Sequence, residues 1–162
     1  MERIVDCFLP LSEGSEIIKT VACLKAIKIV NNIILLRTVN QQIPDALKDM
    51  DALTIDHLKS SKTMQTIAAH SQMRYTLLYL KEQYLEMGLY ALERMASIAQ
   101  DSAAGMVYAD HDKVSFDGLQ SKSPVIDYQM GSLRDDFDFG SLLLFRTEAM
   151  KEAVAKMKSD YQ

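Results

Sequence analysis

The stretch Tyr75–Gly88, YTLLYLKEQYLEMG, decides the fold. Its first six residues are apolar or aromatic at nearly every position, without the alternation of a strand that keeps one face in water. A run of that kind reads as a parallel strand covered on both faces. Lys81, Glu82 and Gln83 then interrupt it at the carboxyl end, where open α/β sheets hold their ligands. A helical pattern follows, with Leu85, Leu89, Leu92, Met95, Ala96 and Ala99 on one face up to Gly105.

Working back towards the amino terminus, the same alternation repeats. Ile4–Leu9 is a short apolar run closed by Pro10, which predicts a buried strand with a loop at its carboxyl end. Ser12 or Ser15 can cap a helix through Ala26, in which Ile17, Ile18, Val21, Leu24 and Ile27 recur at helical spacing. Ile29–Leu36 is β-branched and continuous, a second buried strand, and Asn40–Pro44 ends it. Ala52–Ile55 is a weaker third strand, and Ser60 or Ser61 can cap a short helix through His70.

Working forward, Met106–Ala109 reads as a fifth strand. Lys113–Phe116 and Leu119–Val125 flank Asp117-Gly118, a pair suited to the positive φ angles of a tight reversal, and predict a hairpin. Leu142–Phe145 is a further strand, and Thr147 is placed to cap a last helix. Strand-helix alternation over Ile4–Ala109 implies an α/β fold: a Rossmann-like three-layer α/β/α sandwich with a mostly parallel sheet and a β-hairpin near residues 113–125.

A chain of 162 residues with 48% hydrophobic content can bury a core of its own, and one domain over 1–162 is expected. The net charge of −4, with Lys and Arg scattered, argues against a nucleic-acid partner. Cys7 and Cys23 lack CxxC spacing and read as core thiols of a cytoplasmic protein. The longest apolar runs are far too short to cross a bilayer.

Several clusters could carry chemistry. Ser61-Lys62-Thr63 suggests a phosphate loop, but no Gly-rich turn precedes Lys62, so a helix N-cap is the reading preferred. Asp110-His111-Asp112 puts two carboxylates and an imidazole at a strand end. That cluster could hold a ligand or a hard cation, but a solvated turn leading into a hairpin is the reading preferred from spacing alone. His57 and His70 have no ligand partners at a recognisable spacing. Arg134-Asp135-Asp136, with Asp127 and Asp138, forms an acidic loop that offers a general base or a metal ligand, or only a solvated face. The methionines fall mostly at helical core positions.

Four segments together resemble the amino-terminal part of family 2 glycosyltransferases, the inverting GT-A enzymes that use nucleotide-diphosphate sugars. They are CFLPLSEGSEIIKTVACLKA, TLLYLKEQYLEMGLYALERM, AGMVYADHDKV and FDFGSLLLFRTEAMKEAV. The resemblance implies a nucleotide-diphosphate sugar as donor, a glycan or lipid-linked acceptor, and a place on or near the inner face of the membrane. In the family an Asp-x-Asp motif holds a divalent cation, manganese or magnesium, against the departing diphosphate. Here Lys81 and Gln83 stand in its place, which disfavours such a cofactor and leaves no metal ligand to assign.

Lys81 is then the candidate diphosphate contact, acting as a point charge. Pro10 is expected beside the base, Gln83, Asp110 and Asp112 on the donor side, and Asp135 or Asp136 as catalytic carboxylates. Arg37-Thr38 replaces the acidic and Gly-Ser residues with which the family meets the base. The chain ends soon after Leu142–Phe145, so the family's later acceptor segment is expected to be missing. The same substitutions favour a second reading, a non-catalytic GT-A-like module. A receiver-like domain would need an acidic cluster where Leu9-Pro10-Leu11 stands.

Overall fold

Apolar runs that cannot turn a face to water become the middle of one sheet. The computed structural model describes residues 2–12, 14–115, 117–131 and 137–158. In chain order, β1 (Val5–Pro10), α1 (Glu16–Lys25), β2 (Val30–Arg37), β3 (Ala52–Thr54), α2 (Ser61–His70), β4 (Tyr75–Tyr79), α3 (Ala91–Ser102) and β5 (Met106–Tyr108) alternate as expected. The hairpin strands β6 (His111–Val114) and β7 (Gln120–Ser123) follow, and β8 (Leu142–Arg146) and α4 (Thr147–Ala155) end the series.

The sheet order is β3-β2-β1-β4-β8-β5. β1 pairs in parallel with β2 on one side and β4 on the other, and β2 pairs in parallel with β3. β8 runs antiparallel to both β4 and β5, so β5 points the same way as β1 to β4. The sheet is therefore mostly parallel with one reversed strand. All positions of β1 and β4 are buried.

One face is covered by Ile17, Val21 and Leu24 of α1 and by Leu92, Met95 and Ala99 of α3. The other is covered by Ile67 and Ala68 of α2 and by Met150 and Val154 of α4. These are the three layers the alternation implies. Among the described residues no helix is long and apolar enough to cross a membrane.

Pro10 continues β1 rather than closing it. It stands opposite Leu36, and Leu11 N–H donates to the Leu36 carbonyl at 2.7 Å. A proline in a central strand is tolerated here because β4 pairs only with Val5–Phe8, so its missing donor falls beyond that ladder.

Three local expectations need correction. Leu85 and Leu89 are not helical: α3 starts at Ala91, after Tyr90 at φ 57°. Thr147 is the first residue of α4 and not its cap, because its hydroxyl meets that of Thr76 at 2.8 Å inside the core. Ser15 stands at the N-cap of α1 without a side-chain capping bond. Ser60, by contrast, caps α2 by accepting from Thr63 N–H at 3.2 Å.

Candidate functional site

Parallel strands deliver their carboxyl ends to one edge, and the loops there make the candidate site. β1 brings Pro10–Ser12, β2 brings Arg37 to Gln41, β4 brings Leu80–Gln83, and β5 brings Tyr108–Asp112. Because β8 is reversed, the residues before it arrive at the same edge: Leu80 N–H donates to the Ser141 carbonyl at 2.8 Å. β8 also separates β4 from β5 by two strand spacings, about 10 Å. Lys81 and the Asp110 turn thus flank the entry of β8 from opposite sides.

Pro10 is buried, with its backbone at the edge. Lys81 is exposed and makes no ion pair or hydrogen bond among the described residues, where the ion pairs are Lys19–Glu16 and Lys62–Asp56. Gln83 is exposed, and its backbone carbonyl accepts from Tyr79 Oη at 3.2 Å. Burial and then the Glu16 carboxylate push the Tyr79 phenol up, which keeps that donor protonated. The Asp110 carboxylate accepts from Val125 N–H at 2.8 Å and fastens the base of the hairpin. Asp112 lies exposed on β6 opposite Lys122. Asp135 and Asp136 lie outside the described residues.

The other clusters have structural roles. Lys62 pairs with Asp56 at 2.7 Å on the surface, and Ser60 and Thr63 close a capping arrangement on the His57 carbonyl. His70 bonds the Thr66 carbonyl at the end of α2.

Three features of the edge escaped the sequence reading. Gln41 clamps two loops: its Oε1 accepts from Thr38 N–H at 2.8 Å and its Nε2 donates to the Leu11 carbonyl at 2.9 Å. Arg37 Nη1 adds a bond to the Gln41 carbonyl. No periodic or motif signal marks such a clamp. Secondly, His111 Nδ1 is buried without a hydrogen-bond partner, and a Cβ on Gly140 would stand 3.5 Å from it. The turn signal at Gly140, with φ 81°, was the available hint to that close approach.

The third feature is a strap over α1. Tyr84, Leu85 and Met87 give their N–H groups to Glu16 Oε2 at 3.0 Å, Thr20 Oγ1 at 3.0 Å and Cys23 Sγ at 3.5 Å. These acceptors recur on one stripe of α1. Glu16 also puts a carboxylate in the first turn of the helix that opens onto the edge.

The strand end carries Lys81-Glu82-Gln83, one oxygen of Asp110 already holds Val125, and the described residues contain no group of three side chains able to ligate a metal.

Solved structures share this mostly parallel, loop-edged fold. 4-Diphosphocytidyl-2C-methyl-D-erythritol synthase from Anaerococcus prevotii superposes with a TM-score of 0.60 at 11% identity, over 95% of this chain and 74% of that one. 2-C-Methyl-D-erythritol 4-phosphate cytidylyltransferase from Thermus thermophilus gives 0.59 at 12% identity, over 94% and 75%. CMP:2-keto-3-deoxy-manno-octonic acid synthetase complexed with CTP gives 0.57 at 11% identity, over 97% and 80%.

No protein-family model matches the chain, and no curated protein does. The likeness is one of fold, and it runs to cytidylyl-transferring enzymes rather than specifically to family 2 glycosyltransferases.

Proposed function

We propose that this chain is a nucleotide-using transferase domain that binds the nucleotide part of its substrate over the carboxyl edge of the sheet. The observation that carries it is the convergence of four strand-end loops on one edge, in a fold shared with enzymes that include a CTP complex. In this reading the Leu11–Gln41 clamp supports the base. Lys81, exposed and without a partner among the described residues, supplies positive charge to a phosphate. A sugar carried on the nucleotide would lie towards Asp110 and Asp112, and transfer to a glycan or lipid-linked acceptor is the finer form of the proposal. Asp135 and Asp136 are the carboxylates proposed to face that acceptor. Metal independence is part of the proposal, since the cation's place at the β4 end is taken by Lys81.

The test is a thermal-shift titration with cytidine, uridine and guanosine di- and triphosphates, with and without manganese, on the intact chain and on Lys81→Ala. A shift with one base series that persists without manganese and weakens about tenfold in the variant supports the reading. Silence with every nucleotide at millimolar concentration would overturn it.

That silence would favour a second reading, a non-catalytic module of the same fold. Glu16 motivates it, because a carboxylate in the first turn of α1 opposes an anion at the helix end nearest the edge.

A further inference from the structure

The opposite edge of the sheet carries a second cleft. Arg3, Lys25, Lys28, Asn31, Asn32 and Asp49 line a concavity of about 710 Å³, within the size range of small-molecule sites, with apolar surface from Ile27, Val30 and Met50. The backbone brings its cations together. Ile4 and Val5 N–H both donate to the Ile29 carbonyl, which sets Arg3 beside Lys28. Successive turns from Cys23 to Val30 then carry Lys25 to the same mouth.

None of the three cations has an ion-pair or hydrogen-bond partner among the described residues. Two carboxylates close to the cleft are held by its lining amides: Asp6 Oδ1 accepts from Asn31 Nδ2 at 3.0 Å, and Asp51 Oδ2 from Asn32 Nδ2 at 2.7 Å. Three cations therefore face one lining carboxylate, Asp49, in a chain whose net charge is −4.

Lys25 alone has an ordinary explanation, since it stands in the last turn of α1 and complements the negative end of the helix. That explanation does not reach Arg3 or Lys28, which lie outside the helix. Like charges gathered in one concave site repel each other, and a bound polyanion removes that repulsion. From this juxtaposition we infer that the amino-end cleft binds a small polyphosphorylated molecule, at a site separate from the carboxyl edge.

The probe is inorganic tripolyphosphate, titrated into the intact chain at low salt and followed by calorimetry and backbone amide NMR shifts. Saturable shifts are expected at residues 3–5, 25–32 and 49–50, with affinity falling as salt rises. The variant Arg3→Ala/Lys25→Ala/Lys28→Ala should lose affinity at these residues about tenfold or more, while Lys81→Ala should leave the shifts at residues 3–5, 25–32 and 49–50 as in the unaltered chain. All three cations are exposed, so the variant should still unfold cooperatively, with only the small loss of the Lys25 helix-end interaction; the charge reversal Lys28→Glu leaves that interaction in place and gives a second readout. A nucleoside triphosphate that binds more tightly than tripolyphosphate, with added shifts at Ile27 and Met50, would extend the inference to a ligand with an apolar body. Equal binding by the triple variant, shifts confined to residues 10–15 and 81–83, or no saturable shift would overturn it. Because Lys81→Ala reports on the carboxyl edge alone, failure of either site is seen separately.

Discussion

Asp6, the second residue of β1, is 2% exposed in an otherwise apolar strand, and it is there as an acceptor. One oxygen takes Asn31 Nδ2, and the other takes the N–H groups of Gln72 and Met73 at 2.8 and 3.0 Å, fixing the entry to β4. Asp6→Ala leaves those donors without their partner and should cost about 2–3 kcal/mol in urea unfolding. The carboxylate also bears on Cys7. Burial first, and then Asp6, pushes the Cys7 thiol far up, so it stays protonated in the fold while the unfolded thiol titrates near about pH 8.5. Above that pH the unfolded chain binds fewer protons than the native one. The stabilisation is therefore complete below about pH 8.5 and is lost as pH rises, by up to about 1.4 kcal/mol per unit. Unfolding measured between pH 8 and 10 should show this slope, and Cys7→Ala should abolish it. Tyr79, also shifted up, begins to add only above its own ordinary range near about pH 10. The apolar run around Cys7 was enough to place the strand, but a lone Asp within it gives no sign of three donors from distant segments.

The strap between β4 and α3 shows why an element boundary was misread. Leu85 and Leu89 extend the spacing of Leu92 and Met95 backwards, so the pattern alone favours one long helix. Folded, Leu89 is 88% exposed, and the N–H groups of residues 84, 85 and 87 are satisfied by α1 side chains. An extended segment is stable when its donors find acceptors outside the helix ladder. Thr20, 1% exposed, is the middle acceptor. Thr20→Val keeps the shape and removes the oxygen, so Leu85 N–H loses its partner. A loss of about 1–2 kcal/mol is expected, with faster amide exchange confined to residues 84–87. Exchange that rises evenly over α1 and α3 instead would mean that the strap is held by packing and not by these bonds. The regular elements were legible because their periodicity is a property of the chain; the strap was not, because its acceptors lie more than sixty positions away.

At the scale of the molecule, the reversed strand decides what the sheet can do without. β5 has β8 as its partner in the sheet, and β4 reaches β5 only through it. The sequence marks Leu142–Phe145 as a buried strand, yet periodicity carries neither direction nor neighbour, so its insertion between the fourth and fifth strands could not be read. The hairpin of β6 and β7 is the opposite case. It was visible from Asp117-Gly118, and it forms a sheet of its own, with its strands mostly exposed. These two placements predict opposite responses to deletion. A chain ending at residue 140 loses Leu144 at 0% and Leu143 at 8% exposure, the Thr76–Thr147 bond and both ladders of β8. That loss is comparable with the whole stability of a domain, about 5–15 kcal/mol, and no cooperative urea transition should remain. Replacing residues 111–123 by a short Gly-Ser linker removes a self-paired element and should lower Tm by less than about 4 °C. If the shortened chain unfolds cooperatively while the hairpin deletion does not, the reversed strand is an accessory and the core is organised around the hairpin instead.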